Sequence, residues 1–141
     1  MSTEVIVYVL TALAAVVVVL TRLRLGRGSG GAGRLNMGRG LVNVHTAAGV
    51  LALVTWVVFL VAPEENFFGS STFGIISLAF WWVTVMAGLL ILVRWRRPRG
   101  RHASQAAADS WSDGPGLSIL AHVGMLVGVC VFTWAYLTSV V

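Results

Sequence analysis

Two histidines, His45 and His122, sit inside long apolar runs of this chain. An imidazole in that setting has a short repertoire: metal ligand, proton carrier, or polar contact between helices. Counted from Leu41 and from Leu117, where the second and fourth apolar stretches begin, His45 is the fifth residue and His122 the sixth. At the helical rise both lie about 6–8 Å from the same end of a bundle. Two imidazoles at matched depth on different helices can hold a b-type haem, each giving one nitrogen to the iron. Gly49, Ala52 and Trp56 share the face of His45, and the small pair leaves room for a porphyrin. The face of His122 carries Leu126, Val129 and Thr133, whereas Ala121, Gly124, Gly128 and Ala135 fall on the other side. The same histidines serve equally as a polar contact holding a bundle or a partner, or for proton handling or a lipid headgroup contact. His102 lies in an arginine-rich stretch and reads as solvated.

Little else carries chemistry. Gly124 and Gly128 form a GxxxG pair, whose physical use is close backbone approach to another helix, inside the chain or in a partner. Together with Gly49 they are the expected helix-packing positions. Glu4, Glu64, Glu65, Asp109 and Asp113 all lie outside the apolar cores. Ion-coupled transport needs acids or broken helices at mid-membrane, so a small transporter or lipid carrier is the weakest expectation. No phosphate loop, zinc motif or serine-nucleophile motif occurs, and the expectation is a protein that is not an enzyme, with no catalytic residue and no metal. The single cysteine, Cys130, excludes an intramolecular disulfide and reads as a small core residue. Threonines such as Thr11, Thr55, Thr84 and Thr133 read as packing groups.

The elements that would position these residues follow from composition. The chain is 57% hydrophobic and 11% charged, where soluble domains carry roughly 25% charged residues, so its solvent is lipid. Four stretches reach the roughly 20 residues a bilayer needs: 5–25, 41–62, 73–95 and 117–141. Each must be helical, because lipid offers the backbone no partners. The reading is an all-α, antiparallel four-transmembrane-helix bundle forming one membrane domain over 1–141. The first stretch lacks a basic n-region and a cleavage site, so it reads as a retained helix rather than a signal peptide. Pro63 ends the second helix.

All ten basic residues are arginine. Arg22, Arg24, Arg27, Arg34 and Arg39 lie between the first and second helices, and Arg94, Arg96, Arg97, Arg99 and Arg101 between the third and fourth. The remaining loop and both tails have none, which places the arginine loops in the cytoplasm of a plasma-membrane protein and both termini outside. Aromatics including Trp56, Phe59, Trp81, Trp82 and Trp134 all fall toward the outer side, and Trp95 marks the inner interface. The basic clusters read as topology signals rather than nucleic-acid patches; the expected partners are other membrane subunits and lipid, with no soluble substrate.

The size, the four helices, the arginine-only composition and the stretches LVNVHTAAGVLALVTWVVF and LSILAHVGMLVGVCVFTWAYL resemble small accessory membrane subunits of actinobacterial respiratory supercomplexes, which join a cytochrome bcc complex to a cytochrome c oxidase. That resemblance implies a non-catalytic role in assembly or stability, with no cofactor. The same stretches are similar to helices of small cytochromes b with two histidine ligands, which implies haem b ligation by His45 and His122 and an electron-transfer role. Many such proteins hold two haems on four histidines, a set this chain does not supply alone.

Overall fold

A computed structural model describes residues 2–27, 39–96 and 116–141. The chain is all-α: α1 (Thr3–Arg27), α2 (Arg39–Val61), α3 (Ser71–Arg96) and α4 (Gly116–Leu137), with no strand among the described residues. The stretches 28–38 and 97–115 lie outside the described residues, and with them His102, Arg34, Arg97, Arg99, Arg101 and the two loop aspartates. Three helices are long and apolar enough to cross a membrane, at Gly40–Val61, Ser71–Val93 and Ile119–Leu137. In α1 the described apolar stretch, Thr3–Val19, is shorter than these three.

Local chemistry sets the ends. Ser2 Oγ accepts from Val5 N–H at 3.4 Å, and Ser70 Oγ from Phe73 N–H at 3.4 Å, each satisfying a donor that the first helical turn leaves over. Between α2 and α3 the backbone folds on itself: Asn66 N–H bonds Pro63 O at 3.0 Å, Gly69 N–H bonds Asn66 O at 3.0 Å, and Phe67–Gly69 forms a 3-10 turn. A side chain at Gly69 would collide with the Pro63 and Ala62 carbonyls.

The last helix stops four residues short of the end expected from hydropathy, at Leu137 rather than Val141. Ser139 takes a left-handed φ of 53°. Val140 N–H closes on Ala135 O at 2.9 Å and Ser139 N–H on Tyr136 O at 3.1 Å. This is the Schellman ending, made here with serine where glycine is usual.

Cross-contacts show that neighbouring helices run antiparallel. His45, Gly49 and Phe59 of α2 meet Gly88, Thr84 and Gly74 of α3 in reverse order. On α4, His122, Thr133 and Tyr136 meet Gly88, Trp82 and Ser71. Around the bundle α2 packs most extensively on α3, then α3 on α4, and α1 closes the ring against α4 and α2 more sparsely. The diagonal pair, α2 and α4, meets through long side chains: Trp56 with Phe132 at 5.0 Å between ring centres, and His45 with His122. Trp56, Trp81, Phe132, Val7 and Val129 are the fully buried centre. Trp56 and Trp81 are therefore core residues, whereas Trp82 and Trp134 face outward. Cys130 is exposed rather than in the core, because its angle on α4 points away from the bundle. Outward positions are otherwise crowded with Val, Leu, Ile and Phe, the surface expected where the surroundings are lipid.

Candidate functional site: two imidazoles over Gly88

The seventh residue of α2 is His45 and the seventh of α4 is His122, since both helices begin earlier than hydropathy indicates. Six steps of helical rise set both about 9 Å from the start of their helices. The two rings face one another across the diagonal, with centres 6.2 Å apart and planes inclined by 22°. The pair is stacked, at the longer end of the usual separations between aromatic rings.

The element between them is α3. An ideal Cβ at Gly88 would lie 2.8 Å from His122 Cδ2, 3.1 Å from His122 Nε2 and 3.1 Å from His45 Cε1. His122 Nε2 and Cδ2 and His45 Cε1 therefore converge where Gly88 has no side chain. One turn earlier on α3, the Thr84 carbonyl lies 3.0 Å from His45 Nδ1. A carbonyl only accepts, so Nδ1 carries the proton and Nε2 presents its lone pair. Bonding of one ring nitrogen to a backbone carbonyl is the usual way a ligating imidazole is oriented. The Thr84 hydroxyl donates back to Phe80 O at 2.8 Å. Its methyl fills the place beside His45 that sequence reading left open for a porphyrin: Thr84 Cγ2 lies 3.4 Å from the Cβ position of Gly49.

Ligand spacing and available space give different answers about haem. Two imidazoles bound trans to one metal, each at about 2.0 Å with about 1.1 Å more to the ring centre, place the centres about 6 Å apart. The observed 6.2 Å between centres is of that length, with the rings stacked at 22°. Space is lacking. His45 Nε2 is bonded to Cε1, so it lies within about 4.4 Å of the Gly88 Cβ position, the 3.1 Å contact plus a bond of about 1.3 Å. The point midway between the two Nε2 atoms then lies within about 3.8 Å of that position and within about 5.3 Å of the Gly88 Cα. Porphyrin carbons reach about 4 Å from the iron and need about 3.5 Å of clearance beyond that. A porphyrin held between these rings would require α3 to withdraw.

The helix-packing positions differ among themselves. Gly49 is in close approach to α3 through Thr84. Gly124 and Gly128 have no described atom within 4 Å of their Cβ positions. They line a groove of about 160 Å³ between α1 and α4 with Leu10, Leu13, Ala14 and Val17. A second groove, about 290 Å³, runs between α1 and α2 past Tyr8, Ala12 and Val57. Two threonines do more than pack. Trp56 Nε1 donates to Thr11 Oγ1 at 3.2 Å, the tie between α1 and α2, and Trp82 Nε1 to Thr133 Oγ1 at 3.2 Å, a tie between α3 and α4. Trp81 Nε1 is buried with no partner among the described residues. Among those residues no three His, Cys, Asp or Glu side chains gather to hold a metal.

The sequence does not single out Gly88, and it shows Thr84 only as a packing group. A signal was available: counted inward from the arginine-bearing end, Gly88 is the glycine of α3 at the depth of both histidines. No protein family, curated protein or solved structure matches the chain.

Proposed function

We propose that the chain is a multi-pass membrane protein with its arginine-bearing end in the cytoplasm, and that it acts as a non-catalytic subunit of a larger membrane complex. One observation carries this reading. GxxxG serves close helix approach, yet no described atom comes within 4 Å of the Cβ positions of Gly124 and Gly128, which face only an open groove beside α1. A helix surface kept smooth, and unused internally, fits docking against another membrane subunit. The respiratory assignment rests on the sequence resemblance alone. Its test is whether bcc and oxidase subunits co-purify with the tagged protein from gently solubilised membranes. Gly124→Leu is expected to remove the co-purifying subunits while leaving unfolding of the isolated chain unchanged. Retention of every partner by that variant would sink the docking face.

A b-type haem carrier is the second reading. It is favoured by the 6.2 Å ring spacing and the Nδ1–Thr84 bond, and opposed by Gly88. An optical spectrum of the purified protein, oxidised and then reduced with dithionite, decides it. A b-type alpha band lost in His122→Ala would put this reading first and require α3 to sit farther out in the loaded protein.

A further inference from the structure

We propose that the connection between α2 and α3 is a docking surface for the basic face of a water-exposed protein on that side of the membrane. Phe67 and Phe68 are its anchors, and Glu64 and Glu65 its guide charges. The inference concerns a different surface from the groove at Gly124 and Gly128 and does not rest on the subunit reading.

Placement comes first. The spans Gly40–Val61 and Ser71–Val93 hold 22 and 23 residues. At about 1.5 Å per residue each already exceeds a hydrocarbon core of about 30 Å, so residues 62–70 lie beyond it. Phe67 and Phe68 are nevertheless 60% and 52% exposed. Exposed apolar side chains along the spans face lipid and need no further partner. Two adjacent phenyl rings beyond the hydrocarbon do.

The rings are held rather than loose. Phe67 and Phe68 meet edge to face with centres 5.7 Å apart, and both brace on Phe73, at 5.7 Å and 5.2 Å. Phe73 is buried in the first turn of α3. The backbone beneath is pinned as well. Ser70 donates twice to Phe67 O, from its N–H at 3.1 Å and from its hydroxyl at 2.6 Å. Aromatic rings ordered before contact lose little freedom on binding, which is the property of interface anchors.

Charge defines the partner. Glu64 and Glu65 are exposed and stand two to four residues before the rings. Glu4, also exposed, lies in the first turn of α1 at the same end, where Tyr8 of α1 and Val61 of α2 line one groove. No arginine occurs before Arg22, between Arg39 and Arg94, or after Arg101, so the charged side chains of this end are acidic. Phosphate headgroups favour basic neighbours, and aromatic belts at that level use Trp and Tyr, whose rings carry a polar edge. Phenyl rings beside carboxylates instead complement a protein surface with an apolar spot bordered by Lys or Arg, which the acids steer into register.

The test replaces Phe68 in the full-length protein with the photo-cross-linker p-benzoylphenylalanine. Native membranes are irradiated and the adducts identified by mass spectrometry. The expected result is one predominant protein adduct, attached at a segment rich in Lys and Arg. Combining Glu64→Gln with Glu65→Gln, or raising salt to about 1 M, where the screening length falls to about 3 Å, is expected to lower its yield at least about fivefold. Phe67→Ala is expected to lower it at least about tenfold. Thermal unfolding of each variant separates loss of the contact from loss of the fold. Three results would each overturn the proposal. The first is adducts with lipid alone. The second is a protein adduct whose yield ignores both salt and the paired glutamines. The third is no more protein adduct than the same probe gives at Ile75, an exposed position within the α3 span.

Discussion

The α3 seam and the α1 seam solve the same problem in opposite ways. Along α3 the glycines are filled from outside: Gly88 by two imidazole tips, and Gly74 by the Tyr136 and Phe59 rings, with Tyr136 Cε2 2.6 Å from where a Cβ would be. Along α1 the glycines of the facing helix are filled by nothing, and grooves remain on both flanks of α1. Glycine thus marks two different things in one bundle. At Gly88 it is a consequence of packing that is already complete. At Gly124 and Gly128 it marks a surface whose packing is unfinished within the described chain. A GxxxG spacing is easy to see in sequence; a lone glycine in VMAGLLI is not, and here the lone one is the more constrained.

Substitutions can break or sharpen that contrast. The largest effect is expected at the closed seam. Gly88→Leu forces a branched side chain against both histidine rings and should destabilise by about 1–3 kcal/mol, the usual range for overpacking. Reversible unfolding in bicelles measures it, and a loss near zero would mean that the rings swing away freely. Trp81→Phe is expected to act in the other direction. It removes the partnerless buried N–H and should stabilise by about 1 kcal/mol, less whatever the smaller ring gives up in contact. A clear loss of stability in the same assay would show that the indole nitrogen has a partner, such as a buried water. Thr11→Val deletes the acceptor of Trp56 at the open seam. Interhelical hydrogen bonds of this kind average about 0.6 kcal/mol in membranes, so the expected loss is of that size. A loss above about 2 kcal/mol would mean that α1 is held more firmly than its sparse packing indicates. Smallest is Gly128→Ala, whose new methyl enters open space; unfolding should shift by no more than about 0.5 kcal/mol in either direction. A larger penalty would close the gap between the seams and remove the basis for a docking surface.

Helix number and position were legible because lipid imposes them. A stretch of some 20 apolar residues between polar segments has one outcome in a bilayer. Three helix starts came two residues later in the reading than in the structure, and the end of α4 was extended by four residues, because Ser139 turns left-handed in a sequence still apolar enough to continue. Helix rotation was not legible. When a helix is apolar on every side, periodicity carries no direction, so hydropathy alone did not reveal that Trp56 and Trp81 face inward while Cys130 faces out. The matched depth of His45 and His122 could be counted from the sequence. That they meet, and that they meet over Gly88, depended on the order of helices around the ring and on α3 lying beside the diagonal. The threonine hydroxyls illustrate the same limit. Thr11 bonds back to Val7 O at 2.8 Å, as any membrane threonine does, and its role as the acceptor for Trp56 appears only with the neighbour in place.

The sparse attachment of α1 has a consequence for how the protein is built. The α2–α3 hairpin carries the broadest interface and a connection that bonds to itself, so it can form as soon as both helices are in the bilayer. The α4 helix is tied to α3 through Tyr136 O–H to Ser71 O at 2.7 Å and through the Trp82–Thr133 bond. Against these, α1 meets α4 and α2 along much smaller interfaces, and its backbone hydrogen bonds are its own. On contact alone, α1 is expected to be the helix that detaches first and is seated last.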